Sequence, residues 1–164
     1  MLLLPRTAGC LVCGRDNPIG FRVEHSVDAS GVVRGTFAPA ATHIGFHGVI
    51  HGGILATLLD EAMVWAATWA GLRFCLAAEL NVRYRTAAAI GRPLAIAATV
   101  AVSRGRLITT TGTLHDGDTL VAEGTGKYIR IGDAENRAFV DTLVDDESTR
   151  IAGDRLRAAA AAAR

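Results

Sequence analysis

The alternation of apolar and polar residues along the chain predicts two groups of β-strands. The first is a hairpin, with strands at about Phe21 to Val27 and Val32 to Ala38 on either side of the turn DASG. The second is an antiparallel meander, because four later segments alternate with period two, are rich in β-branched residues and end at Gly or Asp turns. These segments are CLAAELNVRYRTA, RPLAIAATVAVSRG, RLITTTGTLHDGD and TLVAEGTGKYIRI.

A long apolar segment between the two groups of strands predicts a buried helix. The segment ILATLLDEAMVWAATWAGL has apolar residues on almost every side of a helical wheel, and we expect the helix to end at Gly71. A helix that is apolar all round must be covered by other structure. Two strands, one buried helix and four further strands therefore predict an α+β fold.

Both ends of the chain differ from this central part. Residues 1–20 read as a loop that carries a C-x-x-C motif, and residues 21–132 are expected to form the main domain. Residues 133–164 are helix-prone and mixed in charge, and they end in RLRAAAAAAR. This tail is a helix docked on the sheet, an oligomer contact or a frayed extension, and we expect a partly ordered peripheral helix.

Composition and charge restrict the class of protein. The chain has 164 residues, of which 50% are hydrophobic and 20% are charged, and its net charge is +1, which suits one domain with a substantial core. A near-neutral charge without a long Lys/Arg run predicts no nucleic-acid partner. Charges interrupt the apolar stretches before they could span a bilayer, and no basic region of a signal peptide precedes the first apolar residues. The expected location is therefore the cytoplasm, away from membranes.

Three cysteines are too few for a disulfide framework. Cys10 and Cys13 form one C-x-x-C pair, but a structural zinc site needs about four ligands and no second pair follows. We interpret these two residues as ordinary loop thiols, with redox chemistry or a metal site between chains as alternatives. Cys75 stands alone in an apolar segment.

The stretch HIGFHGVIHGGILATLLDEAM carries most of the candidate chemistry. His43, His47 and His51 are spaced by four residues and would share one face of a helix, where they could converge on zinc. The glycines and β-branched residues between them disfavour such a helix, and no acidic or cysteine ligand lies close in sequence. The phosphate-binding pattern G-x-x-x-x-G-K-[ST] is also absent. We therefore predict neither a metal nor another cofactor.

The glycines of this stretch instead lead the chain into the first turn of the helix. Backbone N–H groups in that turn have no intrahelical partner and lie at the positive end of the helix dipole. They can therefore stabilise a carbonyl oxygen that gains negative charge. Gly52 and Gly53 would allow a substrate to approach this backbone closely. The alternative is a close contact between helix and strand that requires residues without a side chain.

Two acidic residues, Asp60 and Glu61, lie in the otherwise apolar helix. An ionised carboxylate is unfavourable to bury unless it is paired or functional, although one of the two could reach solvent. Asp60 lies about 13 Å along the helix axis from His51, so it cannot reach a carbonyl group held at the start of its own helix. If both features serve one reaction, the carboxylate comes from a second copy of the chain. A two-fold dimer would then have two sites at its interface.

Residues from about Cys10 to Ile131 resemble the hotdog-fold acyl-CoA thioesterases of the phenylacetyl-CoA (PaaI-like) type. The most specific part is HGGILATLLDEAM, in which His-Gly-Gly opens the central helix and an acid, here Asp60, follows nine residues after the histidine. A bacterial subgroup also has an N-terminal C-x-x-C-G loop followed by NP-x-G, and the pattern H-x-G-x-x-G-x-x-H-G-G. The matching residues are Cys10, Cys13, Asn17, Pro18, His43, Gly45, Gly48 and His51.

The resemblance implies a curved antiparallel sheet around a long helix and a homodimer or dimer of dimers with shared active sites. It also implies metal-free hydrolysis of an acyl-CoA or of an acyl carrier protein thioester. The Gly52 amide would polarise the thioester carbonyl, and Asp60 of the facing subunit would act as general base or nucleophile. The candidate catalytic residues are Asp60, Gly52, His51 and Glu61, and the candidate substrate-binding residues are Gly53, His43, His47, Arg83, Arg104 and Arg106. Arg85, Lys127 and Arg130 are further cations for the phosphates of CoA.

Two positions depart from the pattern of the family. Some relatives have an Asn where this chain has Gly45, and a hydroxyl residue where it has Ala77 and Ala78. A non-catalytic acyl-CoA-binding protein of the same fold is therefore an alternative function. A hydroxyacyl dehydratase is a second alternative, but it would need a Glu fourteen residues after the loop histidine. Counted from His43, that position is Thr57.

Overall fold

The computed structural model describes residues 1–144 and 146–162. Its central element is one long helix, and strands from both sides of this helix in sequence join one seven-stranded sheet. The strands are β1 (Leu2–Leu3), β2 (Arg6–Thr7), β3 (His25–Val27), β4 (Val33–Phe37), β5 (Cys75–Tyr84), β6 (Leu94–Arg104), β7 (Leu107–Asp116), β8 (Thr119–Arg130) and β9 (Leu143–Val144). The helices are α1 (Gly52–Gly71), α2 (Asp133–Asp141) and α3 (Arg150–Ala162), with a 3-10 turn at Ala41–His43.

The predicted α+β fold is confirmed. The order of strands in the sheet is β1-β3-β4-β6-β7-β8-β5, and neighbouring strands are antiparallel. The four strands after α1 correspond to the predicted meander and differ from the predicted segments by a few residues at their ends. Strand β5 pairs only with β8 in this sheet, so it forms one edge. Strands β4 to β8 contact α1, and the helix therefore lies in the curve of the sheet.

Close packing of α1 against the sheet depends on two strand glycines. Met63 of α1 is fully buried. A Cβ atom on Gly112 of β7 would lie 3.0 Å from Met63 Cγ, and a Cβ atom on Gly124 of β8 would lie 3.3 Å from Met63 Cε. Because these two residues have no side chain, the sheet leaves room for Met63 of the helix. Replacing the buried Met63 by Ala would therefore cost about 2–5 kcal/mol of stability. Although α1 is apolar, neither it nor another helix of the described residues is long and apolar enough to cross a membrane.

The first hairpin is shorter than predicted. Strand β3 begins at His25, whereas the alternation of residues predicted a strand from about Phe21. The backbone N–H groups of Phe21 and Val23 donate to Leu11 O and Val12 O, each at 2.8 Å. Residues 21–23 are therefore extended but pair with the N-terminal loop and not with β4. The prediction placed them in the strand because a period-two pattern indicates an extended backbone and does not identify its hydrogen-bond partner.

The two ends of the chain are joined to each other. Strand β1 extends the sheet beside β3, and β2 pairs with β9 in a separate two-stranded sheet. The Arg6 guanidinium forms an ion pair with Asp146, and Leu156 of α3 is fully buried. The predicted C-terminal helical extension is confirmed and contains two helices; its residues 145, 163 and 164 lie outside the described residues. The predicted domain boundaries at residues 20 and 132 stay a prediction.

Candidate active site

The first turn of α1 presents a backbone N–H group without an acceptor. His51 is the N-cap of the helix, and its Nδ1 atom accepts a hydrogen bond from the Gly53 N–H at 2.9 Å. No acceptor for the Gly52 N–H lies within residues 1–144 and 146–162. The start of a helix carries partial positive charge, so this group is suited to bind a carbonyl oxygen that gains negative charge. Of the two glycines predicted to act here, Gly52 has the free donor, whereas the donor of Gly53 is used by the cap.

The loop before α1 folds back on itself. The Gly45 N–H donates to Val49 O at 2.7 Å, and His47 and Gly48 have φ angles of 42° and 79°. These values lie in the left-handed region, which reverses the chain direction within a few residues. A Cβ atom on Gly45 would lie 3.1 Å from His51 Cα. A side chain at position 45, where some relatives carry an Asn, would therefore require the His51 backbone to shift by a few tenths of an ångström.

A cavity of about 300 Å³ lies beside Gly52. Tyr84 at the end of β5 contributes its ring to this cavity, and its hydroxyl donates to Gly52 O at 3.0 Å. A Cβ atom on Gly52 would lie 3.4 Å from the Tyr84 ring, so the ring also limits the space above the helix start. Sequence reasoning missed Tyr84, and its only signal is an aromatic residue at the end of the strand LNVRY. The lining residues are Val49, Ile50, Gly52, Leu55, Tyr84, Arg85, Thr86, Ala87 and Ala88.

Asp60 lies in the middle of α1 and contacts the sheet. Its Oδ1 atom accepts a hydrogen bond from the Tyr128 hydroxyl at 2.8 Å. Tyr128 of β8 is fully buried, and burial together with the negative charge of Asp60 raises the pKa of its hydroxyl. The hydroxyl therefore remains a donor that holds one carboxylate oxygen in place. Sequence reasoning missed Tyr128 as a site residue, because its partner is 68 positions away.

Glu61 faces a different part of the molecule from Asp60. Its Oε1 atom accepts a hydrogen bond from Trp65 Nε1 at 3.2 Å and lies 3.6 Å from Cys10 Sγ. Burial, and secondarily the charge of Cys10, raise the pKa of the Glu61 carboxyl to about 7. The structure thus places Glu61 with the N-terminal loop and Asp60 with the sheet.

The other two histidines of the motif have separate surroundings. The His43 Nδ1 atom accepts a hydrogen bond from the Ala40 N–H at 2.9 Å, and the ring packs against Phe21 and Phe37 with centroid distances of 5.2 and 5.1 Å. His47 is exposed on the loop. Within the described part of the chain, these histidines and His51 do not form a group of potential metal ligands.

The predicted phosphate-binding cations do not form one cluster in a single chain. Arg83 precedes Tyr84 in β5, so its side chain points to the opposite face of the sheet from Gly52, where it lines a cavity of about 420 Å³ with Thr111 and Glu123. Arg104 and Arg106 flank the turn between β6 and β7, and Arg106 shares a cavity of about 540 Å³ with Gly71 at the other end of α1. The two ends of this helix are about 28 Å apart. The Arg106 guanidinium donates to Arg130 O at 3.1 and 3.0 Å. Three further cations also have protein partners: Arg85 with Glu123, Lys127 with Glu79, and Arg130 with Gly105 O and Ser103 Oγ.

The chain is similar to known proteins in both sequence and structure. Residues 47–123 match the family model of the thioesterase superfamily. A thioesterase superfamily protein of known crystal structure is 29% identical with a TM-score of 0.69; the match covers 73% of this chain and 62% of that one, which is less than two thirds of its length. Thioesterase superfamily member 2 of zebrafish is 28% identical with a TM-score of 0.62, and the match covers 73% of this chain and 87% of that one.

A third similar structure is that of a phenylacetic acid degradation protein. A mutant of the protein PaaI of Thermus thermophilus is 25% identical with a TM-score of 0.61, and the match covers 66% of this chain and 93% of that one. A search among curated proteins finds no match. These similarities confirm the hotdog fold and the family resemblance predicted from the sequence.

Proposed function

We propose that this chain, which has the hotdog fold and matches the thioesterase superfamily over residues 47–123, hydrolyses an acyl-CoA thioester to a free acid and CoA. The observation that carries this proposal is the Gly52 N–H, which has no acceptor among the described residues and lies beside a cavity. A cavity of about 300 Å³ suits an aryl or a short to medium acyl group.

The Gly52 N–H acts on the carbonyl oxygen of the thioester. As a nucleophile adds to the carbonyl carbon, this oxygen gains negative charge, and a fixed donor at a helix start stabilises the charge without reorganising. The general base is Asp60 of a second copy, because Gly52 and Asp60 of one chain are separated by about 12 Å along α1. Each site of a two-fold dimer would therefore combine residues of both chains.

Asp60 has two chemically consistent roles in this arrangement. As a general base it takes a proton from water while the water oxygen bonds to the carbonyl carbon. The C–S bond then breaks, and the departing CoA thiolate takes up the proton. As a nucleophile, the carboxylate oxygen would attack the carbonyl carbon and the C–S bond would break, which forms an anhydride and releases the CoA thiolate. Water would then hydrolyse the anhydride to the free acid, which regenerates the Asp60 carboxylate and supplies the proton that the thiolate takes up. In both cases Tyr128 positions the carboxylate by holding Oδ1.

Cations of the partner chain would bind the phosphates of CoA. An antiparallel pair of α1 helices would bring the arginine-rich end of one chain, with Arg104 and Arg106, toward the Gly52 end of the other. Arg83 is not part of this group, because its side chain lies on the face of β5 opposite to Tyr84 and Gly52. The antiparallel pair would thus bring cations of one chain toward a CoA bound at the Gly52 end of the other.

Binding of acyl-CoA without turnover is the second candidate function. It is favoured by the position of Gly45, where a side chain that some relatives use would require the His51 backbone to shift. A dehydratase is disfavoured, because Thr57 has no acidic group and its hydroxyl donates to Gly53 O at 2.9 Å.

The first experiment measures thiol release from a panel of aryl- and alkyl-CoA thioesters. We expect turnover of at least one substrate class, with the highest kcat/KM identifying the acyl group. Saturable binding of acyl-CoA by calorimetry with no thiol release would instead support the binding protein. Neither binding nor turnover across the panel would refute the proposed substrate class.

The second experiment tests the shared site by mixing two inactive variants. Asp60→Asn removes the base, and Gly52→Val places a branched side chain against the Tyr84 ring above the amide. In a mixed dimer one site carries both lesions and the other carries neither, so random exchange should restore roughly a quarter of wild-type activity. Each variant is also unfolded and refolded alone as a control. Activity that stays at the level of the single variants, with exchange verified by mass spectrometry, would rule out a site shared between chains.

A further inference from the structure

The N-terminal loop and α1 bring together three side chains that the proposed hydrolysis does not require. Cys10, Cys13 and Glu61 each offer one ligand atom, and these three atoms lie within 4.8 Å of one another. The Cys10 Sγ and Glu61 Oε1 atoms are 3.6 Å apart. In a tetrahedral zinc site with bonds of about 2.0–2.3 Å, neighbouring ligand atoms are about 3.3–3.8 Å apart. The cluster therefore needs only a small closure to surround a metal ion.

The backbone of the loop is arranged to stabilise a thiolate at Cys10. The N–H groups of Val12 and Cys13 donate to Cys10 Sγ at 3.3 and 3.4 Å. The Gly14 N–H donates to Cys10 O at 3.0 Å, and a Cβ atom on Gly14 would overlap Ala8 O and Cys10 O. The motif C-x-x-C-G thus forms a tight turn that requires glycine at its last position, and the turn points two N–H donors at one sulfur.

The three ligand atoms face one another in a partly enclosed space between the loop and α1. Cys13 is buried, and Cys10 and Glu61 are half-buried. Two sulfurs and a carboxylate oxygen this close together would repel one another once deprotonated, and a divalent cation between them would remove that repulsion.

We propose that Cys10, Cys13 and Glu61 hold one Zn²⁺ ion that fastens the N-terminal loop to α1. Two thiolates and one carboxylate are ligands that zinc accepts. Within residues 1–144 and 146–162 no further His, Cys, Asp or Glu belongs to the cluster, so water takes the fourth position. Binding releases the thiol protons to solvent, and the metal joins residues that are 51 positions apart. The sequence interpretation of ordinary loop thiols and no metal is replaced by this proposal.

Cobalt and zinc titrations of the reduced, full-length protein test the site directly. Co²⁺ bound by thiolates gives a sulfur-to-metal charge-transfer band, so we expect this band to saturate at one Co²⁺ per chain and to disappear when one equivalent of Zn²⁺ is added. Cys10→Ser and Cys13→Ser should weaken zinc affinity by about a hundredfold or more, since each removes a ligand. Glu61→Gln should weaken it by at least about tenfold while keeping part of the band. Zinc should also raise the melting temperature of the wild type but not that of Cys10→Ser.

Cys75→Ser is the matched control, because Cys75 is buried outside the cluster and should leave the cobalt band and the zinc affinity unchanged. Circular dichroism before each titration checks that the variant is folded. If Cys13→Ser unfolds, Cys10→Ser carries the test, because Cys10 is partly exposed. Absence of the band in the folded, reduced wild type would overturn the proposal, as would equal affinity in Cys10→Ser. Isolation of the chain with a Cys10–Cys13 disulfide that zinc and reductant do not reverse would also overturn it. None of these readouts measures hydrolysis, so the zinc site and the proposed activity can fail independently.

Discussion

Asp60 and Glu61 are adjacent on α1 but belong to two different regions of the molecule. Side chains one residue apart point about 100° apart around a helix, so the two carboxylates face different layers. Asp60 faces the sheet, where Tyr128 donates to it, whereas Glu61 faces the N-terminal loop, where Cys10 contacts it, and also accepts a hydrogen bond from Trp65 of its own helix. The first region contains one carboxylate and a buried hydroxyl, and the second contains a carboxylate and two thiols.

This difference shows that the two acids cannot substitute for one another. The Asp60 carboxylate is held by a neutral donor, the Tyr128 hydroxyl. A carboxylate in the Glu61 region lies beside a sulfur that also carries negative charge, which favours a proton or a cation there. Variants of the two regions should therefore change different properties of the protein.

The largest expected effect is the loss of turnover in Asp60→Asn. The amide cannot accept the proton of water or act as a nucleophile, so kcat should fall by about a hundredfold or more while KM changes little. Steady-state thiol release measures both constants. Asp118→Asn makes the same chemical change on an exposed turn and should retain wild-type kcat. An active Asp60→Asn variant would contradict the proposed role of Asp60.

Tyr128→Phe should have the next largest effect. It removes the hydroxyl that holds Asp60 Oδ1 without changing the volume of the buried ring. We expect kcat to fall by roughly tenfold and stability to fall by about 1–3 kcal/mol, because the carboxylate loses its partner. Enzyme kinetics and chemical denaturation measure the two changes. Loss of stability with an unchanged kcat would show that Tyr128 does not position the base.

Glu61→Gln should change the pH dependence of stability. The pKa of Glu61 is raised from 4.5 to about 7 in the folded state, so the folded protein binds more protons than the unfolded chain between these values. This contribution to stability is fully present below pH 4.5 and is lost as the pH rises through about 7. Between pH 5 and pH 8, the metal-free wild type should lose roughly 2–3 kcal/mol relative to Glu61→Gln.

Urea denaturation at both pH values, in the presence of a chelator, measures this difference. The lowered pKa of Cys10 has the opposite pH dependence, but it is present in both proteins and largely cancels in the comparison. Parallel stability curves for the two proteins would show that the Glu61 carboxyl is not perturbed by the second region.

Tyr84→Phe should have the smallest effect. The Tyr84 hydroxyl donates to the Gly52 carbonyl and not to the Gly52 N–H, and the residue is exposed. We expect a change of about two- to fivefold in KM and a loss of about 0.5–1.5 kcal/mol at most, since this is a single neutral hydrogen bond. A loss as large as that of Asp60→Asn would indicate that Tyr84 contacts the reacting group. Tyr84 would then belong to the catalytic site together with Asp60 and Tyr128.

The sequence by itself determined the local structure of this protein. The period-two segments became β5 to β8, the apolar segment became α1, and His-Gly-Gly became the first turn of that helix. The free N–H of Gly52 and the separation of Gly52 from Asp60 also follow from helix geometry alone. These features depend on residues a few positions apart, whose backbone preferences act wherever the segment lies in the fold.

Only the tertiary structure decided the partners of the site residues. The contacts of Tyr128 with Asp60, Cys10 with Glu61 and Tyr84 with Gly52 join residues that are 68, 51 and 32 positions apart. Each depends on which strand lies beside which face of α1, and the alternation of residues does not specify that pairing. The first strand was predicted to start too early for the same reason: the alternation shows that residues 21–23 are extended but does not show that they pair with the N-terminal loop. Packing of the whole chain, and not the preference of any segment, brings these groups together.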